Sequence, residues 1–221
     1  MISVVHLSLT LRKTEILRDV SVNFARGNIH GLIGRNGSGK TMLMKCICGF
    51  VRPTSGTVTV AGKQIGKDCD FPESVGLIIE TPGFIPYYSG YKNLKLLADL
   101  NRKIGREDIR RTMQQVGLDP DLKRHVGKYS LGMRQRLGLA QAIMESPDLL
   151  ILDEPMNGLD KEGVADMRKY LLDLKSQGKT ILIASHSAVD IAVLCDTVCE
   201  MDKGVLTKIT NQKPESRLQF P

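Results

Sequence analysis

An apolar run, residues 29–33, leads directly into Gly34-Arg35-Asn36-Gly37-Ser38-Gly39-Lys40-Thr41, and a second apolar-periodic run, 42–47, follows it. Strand, glycine turn and helix in that order are the context in which the pattern GxxxxGK[ST] has physical meaning. Glycines let the backbone wrap until successive amide hydrogens point inward, and the following helix adds the positive end of its dipole. The stretch therefore predicts a cradle for a nucleoside triphosphate. Lys40 would reach the β- and γ-phosphates and the Thr41 hydroxyl would ligate Mg²⁺. Gly34, Arg35, Asn36, Gly37, Ser38 and Gly39 make the wall of that cradle. The competing reading is a glycine-rich turn that binds nothing, and the flanking elements argue against it.

A chain of 221 residues with 42% hydrophobic content can bury a substantial core as one domain, or as one domain with a subdomain. No apolar run approaches the ~18 residues needed to span a bilayer. The run Leu149-Leu150-Ile151-Leu152 reads as a buried strand. The first residues lack the basic region and cleavage site of a secretory signal, so the expected compartment is the cytoplasm. The net charge of +7 fits nucleic acid, an anionic membrane face or neither. Arg102, Lys103, Arg106, Arg110 and Arg111 are concentrated in one helical stretch and read as a solvated helix face. Contact with the cytoplasmic leaflet is compatible with that balance. The cysteines suggest no metal set: Cys46 and Cys48 face different directions on a helix, and Cys195 and Cys199 are too isolated. Reduced core thiols are the expectation.

The first 80 residues read as strands over 3–9, 20–24, 29–33, 57–60 and 75–79, interrupted by one helix from about Gly39 to Cys48 that Gly49 stops. From 91 to 145 the period becomes helical, with Ser130 as the N-cap of a helix carrying Leu137, Leu139, Ala140 and Ile143. Strands over 149–152 and 180–184 then flank a helix over 161–176 capped by Asp160, and short strands over 197–201 and 205–209 follow. The tail, 211–221, is polar and carries no evident chemistry. Strand and helix alternation implies an α/β fold with a mostly parallel sheet. Ligands in such sheets sit at the carboxyl ends of the strands. Gly34, Asp153 and Ser185-His186 all fall there.

Asp153 and Glu154 end the 149–152 strand. Successive strand side chains point to opposite sides, so these adjacent acids should do different work. Asp153 is the magnesium partner of a P-loop nucleotide hydrolase, and Glu154, where Pro155 redirects the chain, approaches the attacking water. The long, largely helical separation between Lys40 and Asp153 and the lack of an NKxD segment weaken small GTPases and nucleotide kinases as alternatives.

Taken together these motifs resemble the nucleotide-binding subunit of an ABC transporter, over nearly the whole chain. Tyr129-Ser130-Leu131-Gly132-Met133 matches that family's LSGGQ-like signature. By resemblance, Ser130, Leu131, Gly132 and Met133 bind the γ-phosphate of ATP held by the other subunit of a head-to-tail dimer. Asn157-Gly158-Leu159-Asp160 resembles the D-loop at that interface, and His186 resembles the switch histidine that contacts the γ-phosphate and Glu154. The resemblance implies a P-loop NTPase with a RecA-like core, an antiparallel β subdomain and an inserted α-helical subdomain. The boundaries implied are core 1–84 and 146–221, helical subdomain about 85–145. It also implies ATP hydrolysis with Mg²⁺ and a homo- or heterodimer docked on integral membrane permeases at the cytoplasmic face. No nucleic-acid partner is implied, and a soluble ATPase of the same superfamily acting on nucleic acid or the ribosome is the alternative.

The chain departs from the family pattern in three places. Glu80 stands where most transporter ATPases have Gln; it can still coordinate Mg²⁺ or a water but cannot donate an amide hydrogen bond. With the YSLGM signature, Glu80 resembles the bacitracin-resistance and lantibiotic-immunity branch. Leu11 replaces the aromatic that stacks on adenine, which predicts ATP and GTP affinities closer than usual. Leu131 and Met133 replace a glycine and a glutamine, making the cross-dimer site less polar. Phe84, Tyr87 and Tyr88, in the stretch 81–90, offer either a permease contact surface or core packing.

Overall fold

The computed structural model of the chain describes residues 1–80 and 83–209. Thr81 and the tail segment read above from the sequence lie outside the described residues. In chain order the strands are β1 (Ile2–Leu11), β2 (Thr14–Phe24), β3 (Ile29–Ile33), β4 (Ser55–Val60), β5 (Lys63–Gln64), β6 (Val75–Ile78), β7 (Leu149–Asp153), β8 (Thr180–Ala184), β9 (Thr197–Asp202) and β10 (Val205–Ile209). The helices are α1 (Lys40–Ile47), α2 (Gly90–Asn101), α3 (Arg106–Gln115), α4 (Leu131–Ile143), α5 (Lys161–Ser176) and α6 (Ala188–Leu194).

Two sheets result. One is antiparallel, in the order β2-β1-β4-β5; the other runs β10-β9-β3-β8-β7-β6 and is parallel except where β10 meets β9. Central strands of a sheet covered on both faces read as continuous apolar runs. β7 shows why. Leu150 and Leu152 enter one core with Leu94, Ile109, Leu137 and Leu171 of the helices, while Leu149 and Ile151 enter another with Leu43 and Ile47 of α1 and Leu7, Leu17 and Val58 of the antiparallel sheet. Full burial of each such side chain contributes about 1.5–3 kcal/mol. Helices α2, α3 and α4 thus share one core with a face of the parallel sheet. α4 lies so close to β6 that a Cβ on Gly76 would sit 1.9 Å from the Ala142 carbonyl oxygen.

Several elements differ from the sequence expectation. β2 begins at Thr14, not near residue 20, because Leu11 and Thr14 close a hairpin through Arg12 (φ 46°) and Lys13 (φ 70°). Two left-handed residues make the turn of a two-residue hairpin, and such turns normally advertise themselves with Asn or Gly. The short elements β5 and α6 were not anticipated either. Phe84 packs against the helical core, which removes it from the contact surface, whereas Tyr87 is exposed and meets Tyr88 edge-on at 5.7 Å. The basic stretch is largely paired: Arg110 with Asp121, Arg111 with Asp108 and Lys103 with Glu145. All five cysteines are free, and burial raises the thiols of Cys46 to about 11 and Cys48 to about 12.

Candidate functional site

The loop after β3 turns at Gly34, whose φ of 142° favours glycine and where a Cβ would lie 2.2 Å from the Met201 carbonyl oxygen. This turn carries Lys40 to the start of α1 with only 7% of the residue exposed. Its ammonium donates to the carbonyls of Gly34 at 2.7 Å and Arg35 at 3.1 Å. The Ser38 hydroxyl is buried with no hydrogen-bond partner among the described residues. An orphaned buried hydroxyl costs free energy unless something supplies a partner. A phosphate oxygen in the glycine cradle is such a partner, so the residues present fit a triphosphate.

The end of β7, two strands from β3 in the parallel sheet, brings the acids to the same edge. The Thr41 hydroxyl donates to Asp153 Oδ2 at 2.7 Å, joining the ends of α1 and β7. A hydroxyl and a carboxylate side by side are a hard-oxygen donor pair suited to Mg²⁺. Glu154, with φ at 51°, is held in the left-handed region by its amide's bond to the Ala184 carbonyl at the end of β8. Strained backbone of this kind concentrates where a side chain has to be aimed. Its carboxylate lies 2.8 Å from His186 Nδ1, with 22% of the Glu154 side chain exposed against 65% for His186. Asp153 and Glu154 therefore diverge, one toward Thr41 and the other toward His186, because β7 ends at Asp153 and Glu154 turns into the left-handed region, not because of strand alternation.

These residues line an open groove of about 770 Å³, which includes Asn36, Gly37, Ser38, Gly39, Lys40, Thr41, Asp153 and Glu154. Glu80, Leu131, Arg134, Asn157 and Gly158 line it too. Glu80 is ion-paired with Lys45 at 2.6 Å. Ser130 caps α4 by accepting from the Met133 amide at 3.1 Å, and the residue itself is exposed. Gly132 and Met133 follow in the first turn of that helix. Asp160 caps α5 by accepting from the Gly163 amide at 2.9 Å. Leu11 sits at the hairpin end with 42% exposure, and the aliphatic lining on that side of the groove comes from Ile16.

Sequence reasoning missed the supports. The buried Gln135 amide donates to the Glu154 carbonyl at 3.4 Å. Below His186, the Ser185 hydroxyl bonds the buried Asp190, which pairs with Arg168 Nε at 2.7 Å. Removing Arg168 would strand the buried Asp190 carboxylate, so this pair helps hold the His186 loop. The signal available was the polar run 185–190, but nothing in the linear pattern joins Arg168 to it.

A family model described as ABC transporter matches residues 17–157. The uncharacterized ABC transporter ATP-binding protein YybJ of Bacillus subtilis is 46% identical over 206 residues, covering 93% of this chain and 94% of that protein. The bacitracin transport ATP-binding protein BcrA of Enterococcus faecalis is 40% identical over 90% of this chain, which spans 65% of BcrA's length. The fold matches the dimeric ATP-binding cassette MJ0796 bound to ADP and Pi, with a TM-score of 0.85 at 18% identity over 96% of this chain and all of that one. The phosphate cradle, the paired acids and these relatives agree: the chain belongs to the ABC transporter family, among its ATP-binding subunits.

Proposed function

We propose that two such subunits clamp ATP between them and power separate membrane permeases that move peptide antibiotics away from the cell. The observation that carries this reading is that the bonded Thr41–Asp153 pair and Glu154 line one groove, with His186 Nδ1 paired to the Glu154 carboxylate at 2.8 Å. Lys40, the Ser38 hydroxyl and the amides of residues 34–39 bind the phosphates. Thr41 and Asp153 would hold Mg²⁺, with Glu80 as a further carboxylate at the rim; when bound it would supply neutralisation of phosphate charge. Glu154 accepts a proton from the attacking water, and His186 holds the carboxylate and senses the γ-phosphate. Ser130, Leu131, Gly132 and Met133 present the start of α4 to the nucleotide of the partner cassette, and Asp160 lies in the turn that crosses between them.

No described helix is long and apolar enough to cross a membrane, and on this proposal separate permease chains supply the pore. The exposed Tyr87 and its neighbour Tyr88 offer the permease a contact at the cytoplasmic face. The paired basic stretch favours no nucleic-acid partner. The cargo class rests on the likeness to BcrA, whose name gives bacitracin transport. Leu11 does not line the groove, and the aliphatic Ile16 that does supports weak discrimination between ATP and GTP.

Glu154→Gln tests the reading. Loss of a general base lowers turnover by about a hundredfold or more. The variant should still bind ATP and should accumulate as an ATP-dependent dimer on a sizing column. Hydrolysis at the parent rate would take Glu154 out of its role.

A further inference from the structure

α4 is fastened to the turn between β7 and α5 along one face. Leu131 lies against Gly158 so closely that a Cβ there would come within 2.4 Å of the leucine side chain. A Cβ on Gly132 would meet the Gly158 carbonyl oxygen at 2.9 Å, and Gln135 Nε2 donates to the Glu154 carbonyl at 3.4 Å. One helical turn beyond Gly132 comes Arg136. Residues 131, 132, 135 and 136 share a helix face by their spacing.

Arg136 makes the last of these attachments and extends it to a third helix. Its guanidinium donates to the Val116 carbonyl at the C-terminal end of α3 at 2.9 Å, where an unpaired carbonyl and the helix dipole both favour a cation. On its other side it approaches Asp166 of α5 at 4.0 Å. Two glycines make room for it. A Cβ on Gly117 would stand 2.4 Å from one guanidinium nitrogen, and a Cβ on Gly163 would stand 2.8 Å from another. Gly163 is also the residue whose amide the Asp160 carboxylate caps. Only 22% of the Arg136 side chain is exposed, so its bond to the Val116 carbonyl is enclosed, while the approach to Asp166, 66% exposed, lies at the surface.

We infer that Arg136 is a positioning residue: it locks the Ser130 end of α4 to the Asp160 turn, so that the two elements facing a partner cassette are presented in fixed relation. The inference rests on the cross-dimer role proposed for Ser130. Arg136 touches no residue of the glycine loop, so a single protomer's hold on nucleotide does not depend on it. Assembly of the ATP-bound dimer does, because two surfaces have to arrive together.

The test uses the full chain carrying Glu154→Gln, with a fluorescent ATP analogue for protomer binding, sedimentation for dimerisation and thermal melting for integrity. Arg136→Met keeps the apolar stem and removes the bonds. It should leave protomer affinity unchanged and weaken ATP-dependent dimerisation by about tenfold to a hundredfold, the range a small misplacement produces. Gly163→Ala, which puts a methyl where the guanidinium lies, should reproduce the defect; Arg136→Lys, able to reach one partner only, should fall between. Normal dimerisation in Arg136→Met overturns the inference, as does a parallel loss of protomer affinity. Ser130→Ala separates the levels. If it is defective while Arg136→Met is normal, only the strut fails; if Ser130→Ala dimerises normally, the cross-dimer reading fails and the strut with it.

Discussion

The two ends of the groove are built on opposite plans. On the β3 side Lys40, Thr41 and the Ser38 backbone are tied down within the chain: Lys40 is buried on two loop carbonyls, Thr41 is bonded to Asp153, and the Ser38 amide and carbonyl are both paired. One atom, the Ser38 hydroxyl, is left over among the buried side chains described. On the α4 side Ser130 is exposed and bonds only within its own first turn, and Leu131 shows 55% of its surface to solvent. The difference teaches which half of the chemistry a single chain can perform. On the proposed function, the cradle binds ligand in a single chain, whereas the open start of α4 is completed by a partner cassette.

The sharpest way to break that contrast is to cripple each side in turn. Lys40→Ala should abolish the rise in melting temperature that ATP gives to isolated protomers, since losing one well-placed donor to a phosphate costs on the order of a hundredfold. Ser130→Ala should leave that rise intact and should weaken dimerisation of the Glu154→Gln protein by about tenfold. Equal loss of protomer binding in both would mean that the two ends form one site in one chain.

A smaller effect sharpens the claim about the leftover hydroxyl. Ser38→Ala removes an unpaired buried donor, so the nucleotide-free protein should melt at the same temperature or slightly higher. Its ATP affinity should nevertheless drop by about tenfold, the worth of a hydrogen bond to a charged oxygen. A nucleotide-free protein that melts clearly lower would mean that the hydroxyl has a partner within the fold.

The contrast also sorts what could be read from the sequence. β3, β8 and β10 appear with the bounds expected of them, the first two because strands buried on both faces carry apolar runs that survive any tertiary context. The caps Ser130 and Asp160 were legible because capping is a local bond, three residues long. The first half of β2 was hidden by a turn that uses Arg12 and Lys13 where Gly or Asn would have announced it. α6 has seven residues, too few for a helical period to show. The orphaned Ser38 hydroxyl, the Gln135 bond to Glu154 and the Lys45–Glu80 pair exist only once distant segments meet. Pattern located the reacting groups; packing decided how each is held.

The smallest expected effect concerns the strand beneath the cradle. His30 on β3 is 1% exposed, its ring bonded to the Thr197 hydroxyl at 2.7 Å and to the Ala25 carbonyl at 2.9 Å. Burial is the main influence on it and holds its pKa below the ordinary value of 6.5, because the charged ring would be desolvated. The unfolded chain therefore takes up a proton at His30 before the folded one does. Stability from this group is fully present above about pH 6.5 and is lost as pH falls through the folded value. The slope from one group cannot exceed about 1.4 kcal/mol per pH unit. His30→Gln, measured by urea denaturation from about pH 7.5 to about pH 5, should show a shallower decline than the parent protein. Identical declines would mean that His30 charges as readily inside the fold as outside it, and the glycine-loop side would then have no acid-sensitive support under it.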